Sequence, residues 1–248
     1  MDEAMVTLAA VVALVFVVAG FVKGVIGLGL PTVAVGLLGL VMSPVQAVTL
    51  LVVPSLVTNL WQLAAGPALM PLVQRLWPML LGICAGTAGA AAVGLHAASG
   101  SGPLLGAALV AYALFGLANK SPALPARAEM WLAPLAGAAT GAVTVATGVF
   151  VLPAVPYLQA LQLGKDELVQ ALGLSFSVST LAIAIVLAGD GGFHVSGVVA
   201  SLLTLAPALA GMMLGQWVRA RVPAPIFRRC FFIALFLLGA HLALRPAF

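Results

Sequence analysis

One lysine, Lys23, stands inside an apolar run, flanked by Phe21 and Val22 on one side and Val25 and Ile26 on the other. If that run is a membrane helix, an ammonium there is costly unless it faces water, an anion or a carbonyl, or unless its stem snorkels to the surface. The sequence leaves both readings open: snorkelling, or attraction of an anion. Just beyond it come Gly27, Gly29 and Pro31-Thr32. Glycines weaken helix continuity, and a proline suits a first helical turn, so this segment predicts a break followed by a new helix. Its N-terminal N–H groups and positive dipole end can bind an anion without any catalytic residue. Gly148 and Val149 offer a second end of this kind, with the hydroxyls of Thr144 and Thr147 as further donors. Ser55, Asn59 and Gln62 lie at helical spacing, and Ser175 and Ser179, with Thr180, form a corresponding polar stripe. Hydroxyls in membrane helices often bond only their own preceding turn or a neighbouring helix. The amide of Asn59 can donate to an oxyanion and costs less to bury than a charge.

Other chemistries have no residues to carry them. There is no Ser/His/Asp or Cys/His set, no HExxH and no pair of acids at a common depth, so an enzyme is not expected. Cys84 and Cys230 lie in or beside apolar segments without ligand spacing and read as small packing residues; no metal and no cofactor is expected. His96, His194 and His241 fall near helix ends, where an imidazole needs no special role. Asp166 and Glu167 read as acids opening the helix that follows. With no buried carboxylate for a proton or sodium site, coupling is expected to be anion exchange, or proton movement carried on the substrate itself.

These residues must be positioned by membrane helices. The chain is 63% hydrophobic and 6% charged, with a mean hydropathy of +1.23, which excludes a soluble fold. Its apolar runs are continuous rather than alternating, which excludes a barrel and leaves an all-α integral membrane protein. The runs are 5–42, 44–65, 72–95, 103–118, 130–158, 168–188, 195–218 and 226–244. As one continuous helix the first would measure about 57 Å, too long for a single crossing. It must turn at the Gly27–Pro31 break, and the fifth turns similarly between Gly141 and Gly148, before Pro153 and Pro156. Charge supports both turns. If each broken run enters and returns, Arg75, Lys120, Arg127, Lys165, Arg219, Arg221, Arg228 and Arg229 share one side and only Arg245 lies opposite, eight against one. If each crosses once, the bias vanishes. The returning version predicts 8–10 passes with both termini outside. Asp2 and Glu3, with no basic residue before the first run, are the wrong charge for a cleaved signal peptide, so that run is kept as a helix. The net charge of +4 is topogenic and implies no nucleic-acid partner.

Five passes per half, an odd number, predict two inverted repeats, 1–125 and 126–248, each with a broken, re-entrant first helix. Gly20-Phe-Val-Lys-Gly24 is echoed by Gly137-Ala-Ala-Thr-Gly141, and Gly82-x-x-x-Gly86 by Gly211-x-x-x-Gly215. The last two read as helix-packing motifs. The segments GFVKGVIGLGLPTVAVGLLGLVMSPVQAV and GAATGAVTVATGVFVLPAVPYLQALQLGKDELV resemble the twice-used pattern of the sulfite exporter TauE/SafE family of membrane permeases. The resemblance implies export or exchange of sulfur-containing anions such as sulfite, thiosulfate or organosulfonates. The expected setting is a bacterial-type inner membrane, and the expected mechanism alternating access around a midplane anion site at the broken-helix N-termini. The partners expected are the small anion and the lipid bilayer, with a homodimer left open. Two alternatives stand beside this reading: a passive anion channel, and a transporter of small carboxylates on the same fold.

Overall fold

The computed structural model describes residues 3–95, 102–118, 123–189, 195–219, 221 and 224–244. Asp2, His96, Lys120, His194 and Arg245 lie outside the described residues. The described chain is all helical: α1 (Glu3–Ile26), α2 (Leu30–Leu38), α3 (Pro44–Ala65), α4 (Leu69–Ala92), α5 (Gly102–Ala118), α6 (Ala126–Thr147), α7 (Ala154–Ala160), α8 (Lys165–Gly189), α9 (Val195–Arg219) and α10 (Ala224–Leu244). Among the described residues, seven helices are long and apolar enough to cross a membrane, and α5 is a shorter apolar helix. The chain is a multi-pass membrane protein.

Both long runs break where the sequence placed a break. Gly27 and Gly29 sit at φ 85° and 108°, in the left-handed region that costs most side chains about 1–2 kcal/mol. Pro31 follows in the first turn of α2. In the second run Gly148, at φ 72°, closes α6 by donating its N–H to the Thr144 carbonyl (2.8 Å). The chain then turns back. The Leu124 N–H just before α6 reaches the carbonyl of Ala160 at the end of α7 (2.9 Å), and the Tyr157 hydroxyl donates to the Glu129 carbonyl (3.4 Å). The end of α7 therefore lies beside the start of α6.

Glycines set the closest helix crossings. Gly20 and Gly24 of α1 lie against Ala208 and Met212 of α9, while Gly211 and Gly215 lie against Val17 and Phe21. Gly137 and Gly141 of α6 meet Met79 and Ile83 of α4 in the same way, and Gly82 and Gly86 meet Pro134 and Ala138. At all eight positions a Cβ would collide with the partner backbone, so both expected packing motifs do pack helices. In each of these pairs the two helices run parallel. The α3 helix runs parallel to α9, with Thr49 beside Gly197 and Val53 bonded to Ser201, and antiparallel to α8, with Ser55 opposite Thr180 and Gly66 opposite Gln170. Exchanging each helix with the one five places along leaves the principal pairings unchanged: α1 on α9 and α6 on α4, α3 on α9 and α8 on α4, with α3–α8 and α5–α10 mapping onto themselves.

Backbone groups freed inside the bundle find partners. Pro54 within α3 cannot bond the Leu50 carbonyl, and the hydroxyl of Ser201 on α9 donates to it instead (2.9 Å), while that of Thr204 lies between this carbonyl (2.9 Å) and that of Ser201 (2.7 Å). Gln170 of α8 donates to the Leu63 carbonyl (2.7 Å) and accepts from the Ala68 N–H (2.8 Å), tying the α3–α4 turn to the second half.

Candidate functional site

Lys23 lies in the last turn of α1 and is 2% exposed. Its ammonium does not snorkel; it donates to Oδ1 of Asn59 on α3. The Asn59 amide in turn donates to Ser55 Oγ (3.2 Å), one helical turn earlier. Ser55 Oγ lies 3.0 Å from Thr180 Oγ1 on α8. Thr180 spends its one hydroxyl hydrogen on the Phe176 carbonyl (2.7 Å), so Ser55 is the donor between them. The result is a buried chain of hydrogen bonds running one way, from Lys23 through Asn59 and Ser55 to Thr180. It exists because Ser55 and Asn59 share a helical face and α3 crosses α8 there. Gln62, on the same side of α3, donates to the carbonyl of Gly27 inside the first break (2.6 Å). That bond satisfies a backbone group the break set free.

Lys23, Gly27 and Gln62 form part of the wall of a cavity of about 190 Å³, whose rim includes Asp166 at the start of α8 and Gln216 and Arg219 at the end of α9. Lys23 therefore borders a cavity rather than lying in sealed packing. Among the described residues no carboxylate forms an ion pair with it, and each acid has another place. Glu129 is held bidentately by Arg75 (2.7 and 2.8 Å). Glu167 accepts the Gly164 N–H (3.2 Å), the helix-opening role expected of it. Glu3 begins α1, and Asp166 is exposed at the cavity rim. A buried lysine in the wall of a cavity thus has a neutral amide as the one hydrogen-bond partner of its ammonium among the described residues.

The chain matches the family described as Sulfite exporter TauE/SafE over residues 12–242. It belongs to that family. No curated protein matches it, and no solved structure does.

In this TauE/SafE chain the two breaks are not equivalent. The first fits the expected helix end: Gly29 caps α2 without any side-chain hydrogen bond, so the first-turn N–H groups of α2 have no intrahelical acceptor. Thr32, in that turn, is fully buried, and its hydroxyl has no partner among the described residues. The second break differs from expectation. Gly148 ends α6 rather than opening a helix, the Val149 N–H is taken by Thr147 Oγ1 (3.1 Å), and the following half-helix begins only at Ala154. The hydroxyls of Thr144 and Thr147 donate to the carbonyls of Thr140 and Val143 in their own preceding turn (both 2.7 Å), not toward a cavity. The second break packs on α2 and α3: a Cβ at Gly148 would meet Val48 of α3 and Val35 of α2.

Ser175 and Ser179 are fully buried, and their hydroxyls, like the buried side-chain oxygen of Gln62, have no partner among the described residues. The structure thus joins Lys23, Ser55, Asn59 and Gln62 with Gly27, and leaves Thr144, Thr147 and Gly148 in a local network of their own. Gln170 and the rim residues Asp166 and Arg219 were not expected at a site. A buried amide in the apolar run of α8 was a usable signal for Gln170, whereas the rim is assembled from distant helix ends. Cys84 and Cys230, expected in packing, lie on the outer surface.

Proposed function

We propose that this TauE/SafE chain carries small sulfur-containing anions, such as sulfite, thiosulfate or organosulfonates, across a bacterial-type inner membrane. The observation that carries this reading is Lys23: buried, in the wall of a cavity, its ammonium bonded to the neutral Asn59 and paired with no described carboxylate. An ammonium in that position is stabilised by an anion that comes and goes. The N-terminus of α2 and the Thr32 hydroxyl, unpartnered among the described residues, follow only a few residues along the chain, outside the lining of this cavity. Parallel pairing of α1 with α9 and of α6 with α4, and antiparallel pairing of α3 with α8, support two inverted repeats, 1–125 and 126–248. Rocking of one repeat against the other would give the central site alternating access, with both termini outside. The cavity then opens on the side that carries Lys165 and Arg219, the inside by the positive-inside rule.

The test is thermal stabilisation of the purified protein in detergent by sulfite, thiosulfate, methanesulfonate, acetate and chloride. A ligand at one hundred times its Kd stabilises the native state by about 2.7 kcal/mol. Stabilisation by sulfur oxyanions that is lost in Lys23→Ala and Asn59→Ala is expected. Equal stabilisation by acetate would replace the sulfur reading with a carboxylate one.

A further inference from the structure

We propose that Lys23 is also the proton site of the transport cycle, protonated when the anion is bound and neutral when the carrier returns empty, so that one proton accompanies each anion. This rests on the anion reading above and extends it to coupling. The geometry leaves the ammonium without a fixed counter-charge among the described residues. The α3 helix presents Asn59 and Gln62, neither of which titrates. From α8 the cavity receives Asp166, exposed at the rim, while Glu167 is turned to the Gly164 N–H. The α9 helix contributes Arg219, also at the rim, and α2 contributes no ionisable group. On α10, Phe227 packs on Phe21 of α1, and the Arg228 guanidinium lies over Phe232; Arg229 and Cys230 are exposed.

A loaded carrier holds the anion against the ammonium, and the pair is neutral. An empty carrier that keeps the proton must change conformation with a lone cation in a low-dielectric site, which is strongly disfavoured. Loss of the proton into the cavity removes that charge: the N–H bond breaks, its electron pair stays on Nζ, and the proton goes to cavity water. The neutral amine still donates to Asn59 Oδ1, so the buried hydrogen-bond chain survives the change. Anion and proton therefore move in the same direction. A carrier whose position-23 cation cannot lose its proton returns only when loaded, and is confined to exchanging one anion for another.

The experiment uses the full chain in proteoliposomes with labelled methanesulfonate, an anion that carries no proton of its own near neutral pH. Wild type and Lys23→Arg are compared in two modes: accumulation driven by a pH gradient, acid on the side holding the anion, and exchange with methanesulfonate on both sides at equal pH. Wild type is expected to do both. In Lys23→Arg the ratio of gradient-driven accumulation to exchange is expected to fall at least tenfold from its wild-type value. Loss of both modes in Lys23→Arg, with thermal stabilisation by methanesulfonate intact, would overturn the proposal. So would accumulation by Lys23→Arg at the wild-type level, or wild-type accumulation indifferent to the gradient; either leaves the anion site standing. Wild type that neither exchanges nor accumulates methanesulfonate would overturn the sulfonate reading and the proton site with it.

Discussion

Replacing Asn59 by leucine isolates the energetic consequence of burying Lys23. The substitution removes the acceptor of the ammonium and the donor into Ser55. A hydrogen bond to a charged group contributes about 1.5–3 kcal/mol and a neutral one about 0.5–1.5 kcal/mol, so Asn59→Leu is expected to lower stability by about 2–4.5 kcal/mol. Most of that is the penalty of a stranded cation at a position 2% exposed. Lys23→Met removes the cation, so adding it to Asn59→Leu should restore about 1.5–3 kcal/mol, leaving the double variant more stable than Asn59→Leu alone. Reversible unfolding in mixed micelles of a mild detergent and dodecyl sulfate, followed by the fluorescence of the four tryptophans, measures the cycle. Additivity within about 0.5 kcal/mol would refute the reasoning, since uncoupled residues cannot share one buried hydrogen bond.

Two further outcomes follow from backbone geometry. Gly20→Leu and Gly137→Leu drive a side chain into the carbonyls of Ala208 and Met79, and each is expected to lose about 1–3 kcal/mol or more in the same unfolding assay, by comparable amounts. Gly29→Ala, at φ 108°, is expected to cost about 1–2 kcal/mol. Gly89→Ala, in open space on α4, should instead be neutral or gain up to about 1 kcal/mol. If the two alanines behave alike, the left-handed turn is not what places the first break.

The parts of this fold that rest on local chemistry were legible in the sequence. The Gly27–Pro31 break, the helix ends at Gly66 and Gly189 and the re-entry of the fifth apolar run are set by residues within a few positions of where they act. The second half-helix was misplaced because a glycine after threonines reads equally as the start of one helix or the end of another. What decides it is that Gly148 takes a left-handed C-cap and the chain runs on to Pro153 before helix resumes. Asn59 and Gln62 were recognisable as polar residues on one face, but their partners were not. The bonds Lys23–Asn59 and Ser55–Thr180 span 36 and 125 positions and depend on which helices cross. The cavity is harder still, since its rim is made by the ends of α8 and α9.

The two halves share a scaffold and differ in charge. Gly20 and Gly24 seat α1 on α9 as Gly137 and Gly141 seat α6 on α4, and the residue before the second glycine is Lys23 in one case and Thr140 in the other. Packing alone makes no demand for a cation, because Thr140 fills its position by donating to the Ala136 carbonyl within its own helix (2.7 Å). Lys23 instead reaches across to α3, and through Ser55 to α8. One cation on this frame suits the proposed carriage of one negative charge at a time.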